Sequence, residues 1–204
     1  ARGVSAKVNL AIDRYPKWKG LPSELQPPVI TIAPNMNYLE RAFDDAKYGE
    51  YSRAPFLDIA VPSVLDRTIA PEGKHVMSVY VLFAPYHLRH GDWNAMRELL
   101  GDHVVQTIEQ YAPGFTESIL HRQVVTPWDL EAEFGLTEGN IHHGELSLDQ
   151  IFFMRPVPGY SRYRTPIPSL YICGASTHPG GGVTGIPGSL AAQEILSDFK
   201  SGKV

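Results

Sequence analysis

The residues best able to do chemistry cluster near the end of the chain, in Gly174-Ala175-Ser176-Thr177-His178-Pro179-Gly180-Gly181-Gly182-Val183-Thr184-Gly185-Ile186-Pro187-Gly188-Ser189. Glycine carries no Cβ, so a run of this kind lets the backbone approach a ligand closely. The preceding segment, Ser169 to Cys173, reads as a short buried strand. The following one, Leu190 to Phe199, reads as a helix with Leu190, Ala191, Ile195 and Phe199 on its apolar stripe. Free N–H groups and a partial positive charge of about +0.5 collect where such a helix begins. Pro187 suits the first turn, where its missing N–H costs nothing. Strand, glycine loop and helix together make a cradle for an anion or an electron-rich carbonyl.

Gly180, Gly182 and Gly185 match the spacing G-x-G-x-x-G, but the context of a dinucleotide fingerprint is missing. That motif leads through its helix into a second strand with an acid roughly 20 residues on, whereas this sequence stops at Val204. Ser176 or Ser189 with His178 does not meet the nucleophile-elbow pattern G-x-S-x-G, which argues against a hydrolase. His142 and His143, with His121 and His178 elsewhere, form no metal set, because adjacent histidines on a strand point apart and one cysteine offers no thiolate cluster. His87 and His90 flank a loop and read as surface or core residues. Cys173 reads as an inert thiol buried in its strand. Arg155 has two readings, an anion-binding residue and the partner of a carboxylate, and the second is preferred. Tyr160, Tyr163 and Tyr171 read as core or as a pocket wall.

Several elements must position these groups. Lys7 to Ile12, Val29 to Ile32, Phe56 to Val61, His75 to Ala84 and Phe115 to Val125 alternate or are rich in β-branched residues, and read as strands. Asn37 to Tyr51 reads as a helix with Leu39, Ala42, Phe43 and Ala46 inward. Asp92 caps a second helix reaching about Tyr111, with Met96, Leu99, Leu100, Val104 and Ile108 inward. Pro127, with Asp129 and Glu131, starts a short third. The elements lack the regular rhythm of a parallel doubly wound sheet, so the fold class is α+β with a mixed or antiparallel sheet. The formal charge of −4 on 204 residues and the absence of a Lys/Arg run argue against nucleic acid as a partner. No apolar stretch is long enough to span a membrane. The single cysteine points to a reducing, cytoplasmic setting.

The run LYICGASTHPGGGVTGIPGSLAAQEIL, preceded by GNIHHGELSLDQIFFMRPVPGYSRYRTPIPSLY, resembles the C-terminal flavin-binding signature of phytoene desaturase-like proteins within the amine oxidase-like flavoproteins. KVNLAIDRYP resembles the start of that family's substrate-domain sheet. The resemblance places the chain in the C-terminal portion of such a protein: residues 1–150 as a substrate-domain-like α+β region, and 151–204 as the C-terminal part of the FAD-binding domain. It implies that Gly174, His178, Pro179, Gly180, Gly181, Gly182 and Val183 line the FAD, with the Gly182-Val183 amides at its pyrimidine edge. It also implies that His142, His143 and Tyr163 border a pocket for a small, apolar substrate, whose hydride passes to the flavin. No residue is assigned a catalytic role. The family's N-terminal dinucleotide unit is absent from the sequence, so the chain alone is expected to be inactive and to self-associate or pair with that half. The alternative is a non-catalytic binding or dimerisation module derived from a truncated flavoprotein.

Overall fold

A computed structural model describes residues 2–203, which fall into two compact units, Gly3–Gly139 and Arg2 with residues 140–203. The larger unit is built on five strands: β1 (Ser5–Ile12), β2 (Val29–Ile32), β3 (Phe56–Ala60), β4 (His75–Leu82) and β5 (Ile119–Val125). They lie in the order β2-β3-β4-β1-β5, and every neighbouring pair is antiparallel. The α+β class expected from the sequence is therefore the observed one, with a purely antiparallel sheet.

Alternation decides which face of the sheet is buried. Ala6, Val8, Leu10 and Ile12 of β1 lie level with Met77, Val79 and Val81 of β4 and with Leu57 and Ile59 of β3, and all are within 2% of complete burial. Each large side chain among them contributes about 1.5–3 kcal/mol by leaving water. Lys7 and Asn9 point to the other face, as a period of two requires. The edge strand β2 has only four residues and sits between Pro27-Pro28 and Pro34.

Helices α1 (Met36–Lys47), α2 (Trp93–Tyr111) and α3 (Pro127–Phe134) complete this unit. Asp92 caps α2 as expected, accepting a hydrogen bond from the Ala95 amide at 2.9 Å. Leu100, Val104 and Ile108 join the core, whereas Leu99, expected inward, is 48% exposed. The inner face turns instead through Gly101. A Cβ there would come within 2.8 Å of Val124 Cγ2 and 2.9 Å of Arg122 Cζ, so the helix approaches β5 only because this residue has none. Among the described residues no helix is long and apolar enough to cross a membrane.

Helix α3 starts with a capping box, in which Thr126 Oγ1 accepts from the Asp129 amide and Asp129 Oδ2 accepts from the Thr126 amide. Burial alone would raise the Asp129 carboxyl. The two-pronged Arg97 guanidinium at 2.5 and 2.7 Å, with the Thr126 donors, overcomes it and holds the group below its ordinary value. Arg97→Ala should lower stability by about 3 kcal/mol by stranding a buried carboxylate, measured by urea unfolding. Because the folded pKa lies below the unfolded one, Asp129's contribution is complete above about pH 4. It should fade as the pH falls through the folded value, and the wild-type and R97A midpoints should converge in acid.

Candidate cofactor site

The site expected from the sequence lies wholly within the smaller unit. Its scaffold is a tight reversal in which Arg164 and Tyr171 form an isolated antiparallel bridge and the Ile172 amide donates to Tyr163 O at 2.8 Å. The buried strand expected over Ser169 to Cys173 is reduced to this bridge. Cys173 is exposed, which corrects its reading as a buried thiol. Both departures have one cause: the segment turns back on itself through Thr165, whose Oγ1 accepts from the Ile167 amide and donates to Leu170 O, in place of pairing with a second strand.

The loop that follows is ordered by its own backbone. Thr177 donates through both its amide and Oγ1 to Gly174 O, and the Gly180 amide donates to Thr177 O at 2.7 Å. Gly182 has φ +114°, a conformation closed to residues with side chains, and Gly185 forms the left-handed cap of α4 (Ile186–Lys200) with φ +69°. Pro187 lies in the first turn of α4, as expected. Residues 181 to 186 are all exposed, and the amides of Gly181, Gly182 and Val183 have no acceptor among the described residues.

Arg155 holds this loop from beneath. It is 1% exposed. Its Nε and Nη2 both donate to Ala175 O, and Nη2 also donates to His142 O at 2.9 Å and His143 O at 3.3 Å. No carboxylate pairs with it among the described residues, which corrects the preferred sequence reading. Burial lowers its pKa, yet a guanidinium stays charged at any ordinary pH. Its Nη1 and the Nδ1 of His178 are buried without a hydrogen-bond partner. Buried polar atoms are nearly always satisfied, so each of these two atoms is an exception within the smaller unit.

His142 and His143 occupy a turn, not a strand; both are exposed, and His143 has φ +55°. The His142 amide donates to Asn140 Oδ1 at 2.8 Å, and its Nδ1 lies 3.9 Å from where a Gly181 Cβ would be. Tyr163 is 4% exposed and donates its hydroxyl to His178 O at 2.8 Å, so it braces the loop from inside. The structure thus brings His142, His143 and Tyr163 to the glycine loop, linked to it through Arg155 and the His178 carbonyl. Pro179 and Val183 are exposed.

The sequence reading missed the ion cluster that anchors α4. The inner face of this helix is Pro187, Ala191, Glu194 and Asp198, while Ile195, Leu196 and Phe199 are exposed. Asp198 accepts from Arg164 Nε at 2.6 Å and Nη2 at 2.9 Å and from the Tyr171 hydroxyl at 2.8 Å. Glu194 completes the grip on Arg164 at 2.5 Å. Arg164, then Tyr171, hold the Asp198 carboxyl well below the usual range, and the same bond raises the Tyr171 hydroxyl. The available signal was the helical spacing from Pro187 to Asp198, which places an acid in line with two residues suited to burial.

Comparison with known proteins supplies the family. A rat protein, pyridine nucleotide-disulfide oxidoreductase domain-containing protein 2, is 42% identical over 205 aligned residues, covering 96% of this chain and 35% of the relative. A lycopene-forming phytoene desaturase of Pantoea ananas is 34% identical over 139 residues, 67% of this chain and 27% of the enzyme. A neurosporene-forming phytoene desaturase of Cereibacter sphaeroides is 32% identical over 152 residues, 73% of this chain and 28% of the enzyme. The chain belongs with the phytoene desaturase-like oxidoreductases. It spans about a third of the length of the rat relative. No protein-family model matches it.

Two outcomes are expected for this segment of a phytoene desaturase-like protein. Arg155→Lys keeps the charge but loses the fork on Ala175 O, and should speed amide exchange at residues 174–180 at least tenfold, read by hydrogen exchange. Asp198→Asn removes the charge that Arg164 and Tyr171 share, and should speed exchange at Ile172 while leaving α2 of the larger unit unchanged.

Proposed function

We propose that this chain is the C-terminal portion of an FAD-dependent oxidoreductase of the phytoene desaturase type. In this reading residues 151–204 hold the ring-bearing end of the flavin, and residues 1–150 form the substrate domain. The observation that carries it is the exposed glycine loop ahead of α4, with unclaimed amides at Gly181, Gly182 and Val183 and orphaned buried atoms on Arg155 and His178. These donors fit a planar group rich in acceptors.

Bound there, FAD would supply a hydride acceptor for a carbon–hydrogen bond of a small, apolar substrate. The chain's own part is positional. Gly182 and Val183 offer N–H groups to the pyrimidine edge, and the start of α4 adds its partial positive charge. Arg155 contributes a permanent charge below the loop and fixes Ala175 and His142. Tyr163 holds His178 in place through its carbonyl. His142 and His143, exposed beside the loop, border the substrate.

The exposed apolar residues Phe152, Phe153, Leu196 and Phe199, from 58% to 70% accessible, support pairing with further polypeptide. The rat relative, nearly three times as long, has the length to provide it. The exposed thiol of Cys173 fits a reducing, cytoplasmic setting.

The deciding experiment places this chain in the rat relative in exchange for the matching third, and titrates FAD by fluorescence quenching. The chimera should bind FAD stoichiometrically, and Gly182→Val, forced out of φ +114°, should weaken binding at least a hundredfold with circular dichroism unchanged. A folded chimera that binds no FAD would overturn the reading, as would equal binding by the Gly182→Val form.

A further inference from the structure

The larger unit contains a cleft of about 550 Å³ that the flavin reading leaves unused. Its lining includes Gln26, Ser63, Arg67, Glu72, Lys74 and His75. Three sequence segments meet there: the loop before β2, the 3-10 turns at Pro62–Val64 and Arg67–Ile69, and the turn that leads into β4.

The cleft has more positive than negative charge to offer. Arg67 and Lys74 make no ion pair and no side-chain hydrogen bond among the described residues. The nearest acid in sequence, Asp66, is occupied, its Oδ1 accepting from both the amide and the hydroxyl of Thr68. Glu72 lines the same cleft and pairs with neither cation. Arg67 and Lys74 line this one concavity together with a third basic group.

That third group, His75, is fixed on two sides. The Tyr15 ring meets its imidazole edge-on at 5.7 Å, and Tyr15 is itself held by donating to Pro27 O at 2.7 Å. Ser63 Oγ lies 3.1 Å from His75 Nδ1 and accepts from the Val76 amide at 3.2 Å. A Ser63 hydroxyl that donates to Nδ1 leaves the ring N–H on Nε2. Nε2 has no partner among the described residues. Burial, with the charge of Arg67 added, keeps the imidazole pKa below its usual value.

We propose that this cleft is a binding site for an oxyanion, the phosphate or carboxylate group of a small ligand, with Arg67 and Lys74 as its cationic walls and His75 Nε2–H as the donor at its base. Ser63 and Tyr15 are positioning residues that set the tautomer and orientation of the ring. The ligand's remainder would lie toward Gln26. None of these residues belongs to the glycine-loop site, so the proposal stands or falls separately from the flavin reading.

The test follows the His75 ring resonances of the full chain by NMR, assigned with His75→Gln, as sodium phosphate or sodium acetate is added at constant ionic strength set by chloride. A saturable shift with phosphate identifies a phosphoryl site, and one with acetate alone a carboxylate site; either supports the proposal. Arg67→Gln with Lys74→Gln, both at exposed positions, should then weaken the binding at least tenfold. Unsaturable shifts no larger than those of added chloride would overturn it, and so would undiminished affinity in the folded double variant.

Discussion

The smaller unit is organised around one ion cluster, the fork of Arg164 on the buried carboxylate of Asp198. A helix near a sheet or hairpin is ordinarily placed by its apolar stripe. Here α4 turns a carboxylate inward and leaves Leu196 and Phe199 outside. The carboxylate takes three donors from the hairpin, two from Arg164 and one from Tyr171. Satisfying that charge fixes both the rotation of the helix about its axis and its distance from the hairpin. The start of α4, and with it the exposed amides ahead of Gly185, is positioned from the far end of the helix. Directional, charge-assisted bonds do this better than apolar contact, which tolerates sliding.

A second cation works in the opposite way. Arg155 spends its donors on carbonyls of three residues that are distant in sequence and has no acid beside it. Its charge therefore remains available electrostatically, although its geometry is committed. Arg164 is neutralised and anchors; Arg155 is uncompensated and faces a loop whose amides are likewise uncommitted. The two arginines differ in their partners: acids for Arg164, carbonyls alone for Arg155.

Much of the larger unit was legible because its signals are local. The alternation in β1 and β4, the Asp92 cap of α2, and the start of α3 at Pro127 with Asp129 each require only a few neighbouring residues to be read together. The glycine loop was legible for the same reason. What failed was long-range. Leu99 reads inward until Gly101 lets β5 come close on the adjacent face. Cys173 reads as buried until the hairpin at Thr165 denies it a partner strand. Asp198 lies off the apolar stripe read for this helix, and only Arg164, 34 residues earlier, accounts for its turning inward. No periodicity encodes a partner at that separation, and an acid between apolar residues is ordinarily assigned to the surface.

The short strand β2 has a consequence for how such a chain behaves in a crowded solution. A sheet's outermost strand is a row of open donors and acceptors, and another chain can extend it. Here the Pro27-Pro28 pair and Pro34 bracket just four residues, too short a template and without N–H groups at its flanks. Growth of the sheet from that side into a fibre is thereby blocked. A partner that meets this edge must be held through side chains, whose shapes and charges discriminate between partners where a bare backbone does not.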